Sequence, residues 1–136
     1  MKRFVEAQAS TYERALAELR IGRKRTHWMW FVFPQLAGLG RSATAERYAI
    51  ASLAEAEAYL KHPVLGPRLI ECATAVLDVE GRSAHEIFGS PDDLKLRSCA
   101  TLFALASAPK SVFSQLLAKY FDAREDGQTL RLLDRA

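Results

Sequence analysis

One stretch of the sequence, residues 22–42, combines residue types that could bind a charged molecule with a ring. It begins with basic residues, continues through a histidine into an aromatic run with both tryptophans of the chain, and ends in a glycine-containing loop. Cations hold phosphate or carboxylate groups through charge-assisted hydrogen bonds, and aromatic side chains stack on rings. The stretch therefore predicts a site for an anionic small molecule, such as a nucleotide or an ADP-ribose derivative. The first candidate ligand-binding residues are Lys24, Arg25, Trp28 and Trp30.

The end of the stretch offers a second way to hold an anion. Gly38 and Gly40 allow backbone amides to converge, and the loop leads through Arg41 to Ser42, where a helix is predicted to begin. Arg41 would add a charged donor, and Gln35 could read a polar group of the ligand. The alternative is a plain turn into a helix that Ser42 caps.

Four further residues are candidates for chemistry or for ligand contact. His27, between the bases and the tryptophans, could shuttle a proton, and Glu6 could act as a general base if the ligand is hydrolysed. Lys95 and Ser98 lie near the start of an apolar helix and could face the same ligand. The simpler alternatives are an exposed histidine and a surface ion pair between Asp92 and Lys95, which are spaced i, i+3.

The overall charge favours a small anion over a nucleic acid. The 136 residues are 49% hydrophobic and 26% charged, with a net charge of +3. That excess permits an anionic partner but falls short of the clustered basic patch of a dedicated nucleic-acid binder. Two alternatives stay open: a nucleic-acid-binding protein that uses the basic-aromatic stretch, and a protein-interaction module anchored by an exposed tryptophan.

Neither a metal centre nor a membrane segment is expected. Cys72 and Cys99 fall in apolar helical patterns, and no Cys/His pair has the spacing of metal ligands. The N-terminus lacks an apolar leader segment, and no stretch approaches 18 uninterrupted apolar residues. We therefore expect a cytoplasmic protein without cofactor or metal and leave its oligomeric state open.

Hydrophobic periodicity and helix caps predict a single all-α domain of several helices over residues 1–136. Apolar residues recur at i, i+3, i+4 and i+7, and Ser10, Ser52 and Ser83 begin capping-box patterns. The segment from Pro91 to Ala106 is apolar on nearly all sides, which predicts a central buried helix.

The aromatic run predicts a short helix over residues 28–33. In such a helix Trp28 and Phe31 share one face, while Trp30 and Phe33 share another. One pair is then expected in the core, and the other could line a groove.

Three long motifs resemble one protein family. The segments HWMWFVFPQLAGLGRS, YLKHPVLGPRL and EIFGSPDDLKLRS are similar to those of the DUF1810 family, small bacterial proteins of unknown function. The resemblance extends from Phe4 to Leu133. It implies a compact, mostly helical fold of the Rv1873-like type and implies no established activity.

Overall fold

Ten helices contain 64% of the residues in the part of the chain that the structure describes, residues 1–134 of a computed structural model. Within those residues the one β-type pairing is an isolated parallel bridge between Leu36 and Ile50. The all-α prediction is confirmed, while the last two residues of the predicted domain lie outside the described range. The helices are α1 (Lys2–Ala9), α2 (Tyr12–Ile21), α3 (Met29–Val32), α4 (Ala43–Arg47), α5 (Leu53–Lys61), α6 (Leu65–Leu77), α7 (Ala84–Phe88), α8 (Asp92–Leu105), α9 (Val112–Phe121) and α10 (Gly127–Asp134).

Several helices begin where the serine caps predicted them. The Ser83 hydroxyl accepts from the Glu86 amide while the Glu86 carboxylate accepts from the Ser83 amide, which confirms that capping box. Ser52 caps α5 as predicted. The box at Ser10 was wrong, because the N-terminal residues form a helix of their own, α1, and Ser10 is its C-cap residue.

Helix α8 is the central helix, as its composition predicted. It packs against α5, α7, α9 and α10. The side chains of Cys99, Leu102 and Phe103 are buried on it. The Phe103 ring lies 5.4 Å from the Tyr59 ring and 5.6 Å from the Phe113 ring, so α8 joins α5 and α9 through one aromatic row. Side chains at the start of α8 are therefore carried by a helix that packs against four others.

The aromatic run forms a helix of only four residues, α3. Trp28 is its N-cap and Phe33 its C-cap, and both are buried, whereas Trp30 and Phe31 are partly exposed. The predicted pairing of 28 with 31 and of 30 with 33 was wrong, because the two end residues lie outside the helical geometry. The arrangement leaves Trp30 as the tryptophan that reaches the surface.

The bridge between Leu36 and Ile50 closes the base of a loop that contains α4. The Ala37 amide donates to the Ile50 carbonyl at 2.8 Å, and the Ile50 amide donates to the Gln35 carbonyl at 2.8 Å. Within this loop Gly40 approaches its neighbours so closely that a Cβ there would lie 2.5 Å from the Ala45 Cβ. At Gly40 the loop thus packs against Ala45 and the Trp30 ring.

Candidate functional site

A surface groove of about 330 Å³ lies between the glycine-containing loop, the first turns of α8 and the start of α10. We call it the Trp30 groove. It brings together residues that are far apart in sequence, since the loop and α10 are separated by most of the chain. Its lining residues are Trp30, Gln35, Leu39, Gly40, Pro91, Leu94, Lys95, Arg97, Ser98, Asp126 and Gln128.

Five of the sequence-predicted ligand residues line this groove, from two segments that the sequence analysis considered separately. They are Trp30, Gln35, Gly40, Lys95 and Ser98. Gly38 lines two neighbouring cavities of about 100 and 240 Å³ that share wall residues with the groove. Lys24 and His27 line a third cavity, of about 100 Å³, which shares Trp30 and Lys95 with the groove.

Two lysines share one carboxylate in the cavity beside the groove. The Lys24 ammonium lies 2.9 Å from one carboxylate oxygen of Asp92, and the Lys95 ammonium lies 3.2 Å from the other. The Lys24 side chain is only 6% exposed and that of Lys95 is 18% exposed. These direct ion pairs leave one positive charge in excess in a mostly desolvated place, where electrostatic interactions are stronger than in bulk water.

Each of these lysines also lies over a tryptophan ring. The Lys95 ammonium is 3.7 Å from the centre of the Trp30 ring, and the Lys24 ammonium is 5.0 Å from that of Trp28. Such cation–π contacts fix the position of an ammonium group without neutralising its charge. One face of Trp30 is thus covered by Lys95, and a ligand in the groove would meet the ammonium together with the rest of the indole.

Trp28 has no ring face free for a ligand, which corrects the expectation that it binds one. Its side chain is fully buried, and its indole N–H donates to the Glu18 carboxylate at 2.9 Å. Trp28 instead supports the lysine pair, since the Lys24 ammonium lies over its ring.

Glu18 binds the segment 25–28, which connects α2 to α3. Its carboxylate accepts hydrogen bonds from the Arg25 and Thr26 amides, the Thr26 hydroxyl and the Trp28 indole. Burial by itself would raise the pKa of Glu18, but these donors outweigh it and lower the pKa to about 2. The carboxylate is therefore ionised at neutral pH, with its charge taken up by these donors.

The α8 side of the groove is held by hydrogen bonds within the protein. The Ser98 hydroxyl, although predicted as a ligand contact, is buried and donates to the Leu94 carbonyl at 3.2 Å. Arg97 donates from Nε and from a terminal nitrogen to the carbonyls of Arg124 and Glu125, each at 2.8 Å. Arg97 thus joins the segment before α10 to α8 at the groove.

The remaining predicted residues do not line the Trp30 groove. Arg25 and Arg41 are exposed elsewhere, and the Ser42 hydroxyl is used as the N-cap of α4, where it accepts from the Ala45 amide at 3.1 Å. Glu6 is 62% exposed on α1, 3.7 Å from the Lys2 ammonium. Of the two candidates for catalysis, only His27 lies beside the lysine pair.

The sequence analysis missed several residues of the groove. The Asp92–Lys95 pair was visible from its spacing, but the contact of Asp92 with Lys24 depends on the fold. Leu39 lines the groove from the glycine-containing loop, Leu94 from α8, and Asp126 and Gln128 from the start of α10. Leu39 and Leu94 fall within the family-like motifs, but nothing in the sequence indicates that they meet Asp126 and Gln128 at one groove.

The fold and the site define a small all-α protein with a surface groove beside a pair of inward-facing lysines. Within residues 1–134, no three side chains of the His, Cys, Asp or Glu type cluster as metal ligands would, and no helix is long and apolar enough to cross a membrane.

The chain belongs to the DUF1810 family, described as a protein of unknown function, whose family model matches residues 1–133. It is 60% identical to the conserved hypothetical protein Rv1873 from Mycobacterium tuberculosis. The crystal structure of that protein matches with a TM-score of 0.96, over 98% of this chain and 95% of that chain. These matches confirm the resemblance and the Rv1873-like fold. No curated protein matches the chain.

Proposed function

We propose that this protein binds an anionic small molecule in the Trp30 groove. The observation that carries the proposal is the sharing of Asp92 by Lys24 and Lys95, at 2.9 and 3.2 Å. A charge that is largely removed from water is costly unless it is paired. A phosphate or carboxylate at the Lys95 end of the groove would compensate the remaining charge through charge-assisted hydrogen bonds.

The size and lining of the groove favour a compact ligand with an apolar, ring-like part. A volume of about 330 Å³ lies at the lower end of the range for small-molecule sites, which suits a mononucleotide or a sugar phosphate better than a dinucleotide. Leu94 is 56% exposed at the rim, with Leu39 and Trp30 also in the lining. A flat ring between these side chains would bury their apolar surface.

Binding is better supported than turnover. His27 is the residue that hydrolytic chemistry would use, since it lines the cavity next to the lysine pair, whereas Glu6 does not line that cavity or the groove. Cys72 and Cys99 are free and buried, which fits the reduced thiols of a cytoplasmic protein.

The nucleic-acid alternative receives less support from the same stretch. Proteins that bind single strands use exposed aromatic rings interleaved with exposed basic side chains. Here Trp28 and Phe33 are buried, and Lys24 points inward to Asp92. The run therefore offers fewer exposed rings than the binding of an extended single strand would use.

Thermal unfolding in the presence of matched probes tests the proposal. Adenosine 5′-monophosphate (AMP), ribose 5-phosphate and inorganic phosphate are compared with their uncharged counterparts, adenosine and ribose. A probe at 100 times its dissociation constant should stabilise the protein by about 2.7 kcal/mol. We expect at least one phosphate ester to raise the melting temperature, with no effect of adenosine or ribose. Equal shifts with charged and uncharged probes, or no shift with any of them, would contradict the proposal.

A further inference from the structure

Asp126 uses only one of its two carboxylate oxygens to begin α10. Its Oδ2 accepts from the Thr129 amide at 3.0 Å and from the Thr129 hydroxyl at 2.6 Å. The Asp126 amide in turn donates to the Thr101 hydroxyl on α8 at 2.9 Å. The residue is therefore held in place from both sides, and the direction of its carboxylate is fixed.

The other oxygen, Oδ1, has no hydrogen-bond donor among residues 1–134. Every buried side-chain nitrogen or oxygen of the described residues has a hydrogen-bond partner. Because Oδ1 has none, it is not buried. Oδ1 is thus open to solvent on a residue that lines the Trp30 groove. A carboxylate oxygen fixed in this way is a ready acceptor for a donor on a bound molecule.

The charges along the groove determine what kind of donor fits. Lys95 and Arg97 both line the groove with Asp126, so the charged side chains of its lining sum to one positive charge. An additional ammonium group on the ligand would be repelled by these two cations. A neutral hydroxyl group can donate to Oδ1 without that cost.

We infer that Asp126 selects a ligand with a free hydroxyl at the end opposite its anionic group. Resting on the proposed function, this inference narrows the ligand to the phosphate or carboxylate derivative of a polyol, such as a sugar phosphate or a nucleoside monophosphate. Lys95 holds the anionic end, and Asp126 accepts a hydrogen bond from the hydroxyl end. Asp126 is then a specificity-determining residue of the site.

Binding calorimetry with paired probes tests this role of Asp126. AMP is compared with 2′,3′-dideoxyadenosine 5′-monophosphate, and ribose 5-phosphate with 2-deoxyribose 5-phosphate. The variant Asp126→Ser removes the carboxylate oxygen that has no donor in the protein but keeps an N-cap oxygen for α10. The control Asp122→Asn removes the same charge at the C-cap of α9, where the left-handed backbone (φ 53°) tolerates asparagine.

In the native protein, in at least one pair, the member that carries the additional hydroxyl group or groups should bind about tenfold more tightly than its deoxy partner. Asp126→Ser should reduce that ratio to about one, and Asp122→Asn should leave it unchanged. A merely structural effect of Asp126→Ser would weaken both members together and preserve the ratio, which would overturn the inference. The inference would also be overturned if the native protein bound both members of each pair with equal affinity. If neither pair binds at all, the proposed function is contradicted and this inference with it.

Discussion

The ammonium group of Lys95 lies 3.7 Å from the centre of the Trp30 ring. Both residues line the groove and also the cavity that contains Lys24. This contact places a cation on the partly exposed tryptophan of the protein, while the other, Trp28, is buried. The two tryptophans therefore report on different places, Trp28 on the core and Trp30 on the proposed site.

We expect acrylamide to quench the fluorescence of Trp30 and to leave that of Trp28 nearly unaffected. The quencher must reach the indole ring, and Trp28 is fully buried. Quenching is measured for the native protein and for Trp30→Phe, in which Trp28 is the remaining indole. Quenching of Trp30→Phe as strong as that of the native protein would show that the aromatic run is not packed as described.

Stability should decrease in acid in part through Glu18. Its pKa is lowered from 4.5 to about 2 in the folded protein, so the unfolded chain binds the proton more readily. The contribution of ionised Glu18 to the free energy of unfolding is present above about pH 4.5 and is lost as the pH falls towards 2. The loss amounts to about 3 kcal/mol in total. Urea unfolding at pH 6 and pH 3 should show a smaller loss for Glu18→Gln than for the native protein.

Glu6→Gln serves as the control for Glu18→Gln. It removes the same charge at an exposed position whose ion pair is with Lys2, at 3.7 Å. We expect this variant to lose stability in acid as the native protein does. If Glu18→Gln shows that same full loss, Glu18 is not the group responsible.

Truncation of Leu102 tests the central position of α8. Its side chain is fully buried. Leu102→Ala should therefore lower the free energy of unfolding by about 2–5 kcal/mol through lost burial and the cavity left behind. The matched control is Leu105→Ala on the same helix, where the leucine is 43% exposed. Equal losses for the two variants in urea unfolding would mean that α8 is not the core helix.

A methyl group at Gly40 should displace the loop from Trp30. The new Cβ would lie 2.5 Å from the Ala45 Cβ and 3.5 Å from the Trp30 ring, so the backbone must shift. We expect Gly40→Ala to cost about 1–3 kcal/mol of stability by urea unfolding. Gly127→Ala, at the start of α10, meets only the end of the Arg131 side chain at 3.5 Å and should cost nothing. If Gly40→Ala is equally neutral, the glycine is not required for packing.

The sequence predicted the helical architecture well because its signals are local. Serine caps and apolar periodicity act within one or two turns, and the Ser83–Glu86 box appears as predicted. Helix α8 is central as predicted, although Leu94 and Leu105 on it are exposed, so it is not buried on all sides. The exception in the aromatic run has a local cause too, since α3 is too short for helical periodicity to sort Trp28 and Phe33.

The site could be predicted only in part because it depends on contacts between distant residues. Lys24 meets Asp92 across 68 positions. Asp126 is held at the groove by contacts with α8, in which Arg97 donates to the two preceding carbonyls and Thr101 accepts from the Asp126 amide. Residue type alone suggested Trp30 and Lys95 as ligand contacts. It equally suggested Arg41, which the fold places outside the groove.

The most direct measurement is a calorimetric titration of the native protein, Lys95→Met and Lys2→Met with AMP or ribose 5-phosphate, whichever stabilises the protein more. Methionine preserves the apolar length of lysine without its charge, and Lys2 is an exposed lysine paired with Glu6 outside the groove. Loss of a hydrogen bond to a charged group corresponds to at least about a tenfold weakening. We predict that weakening for Lys95→Met and native affinity for Lys2→Met. Native affinity in Lys95→Met would contradict the proposal that Lys95 holds the anion in the Trp30 groove.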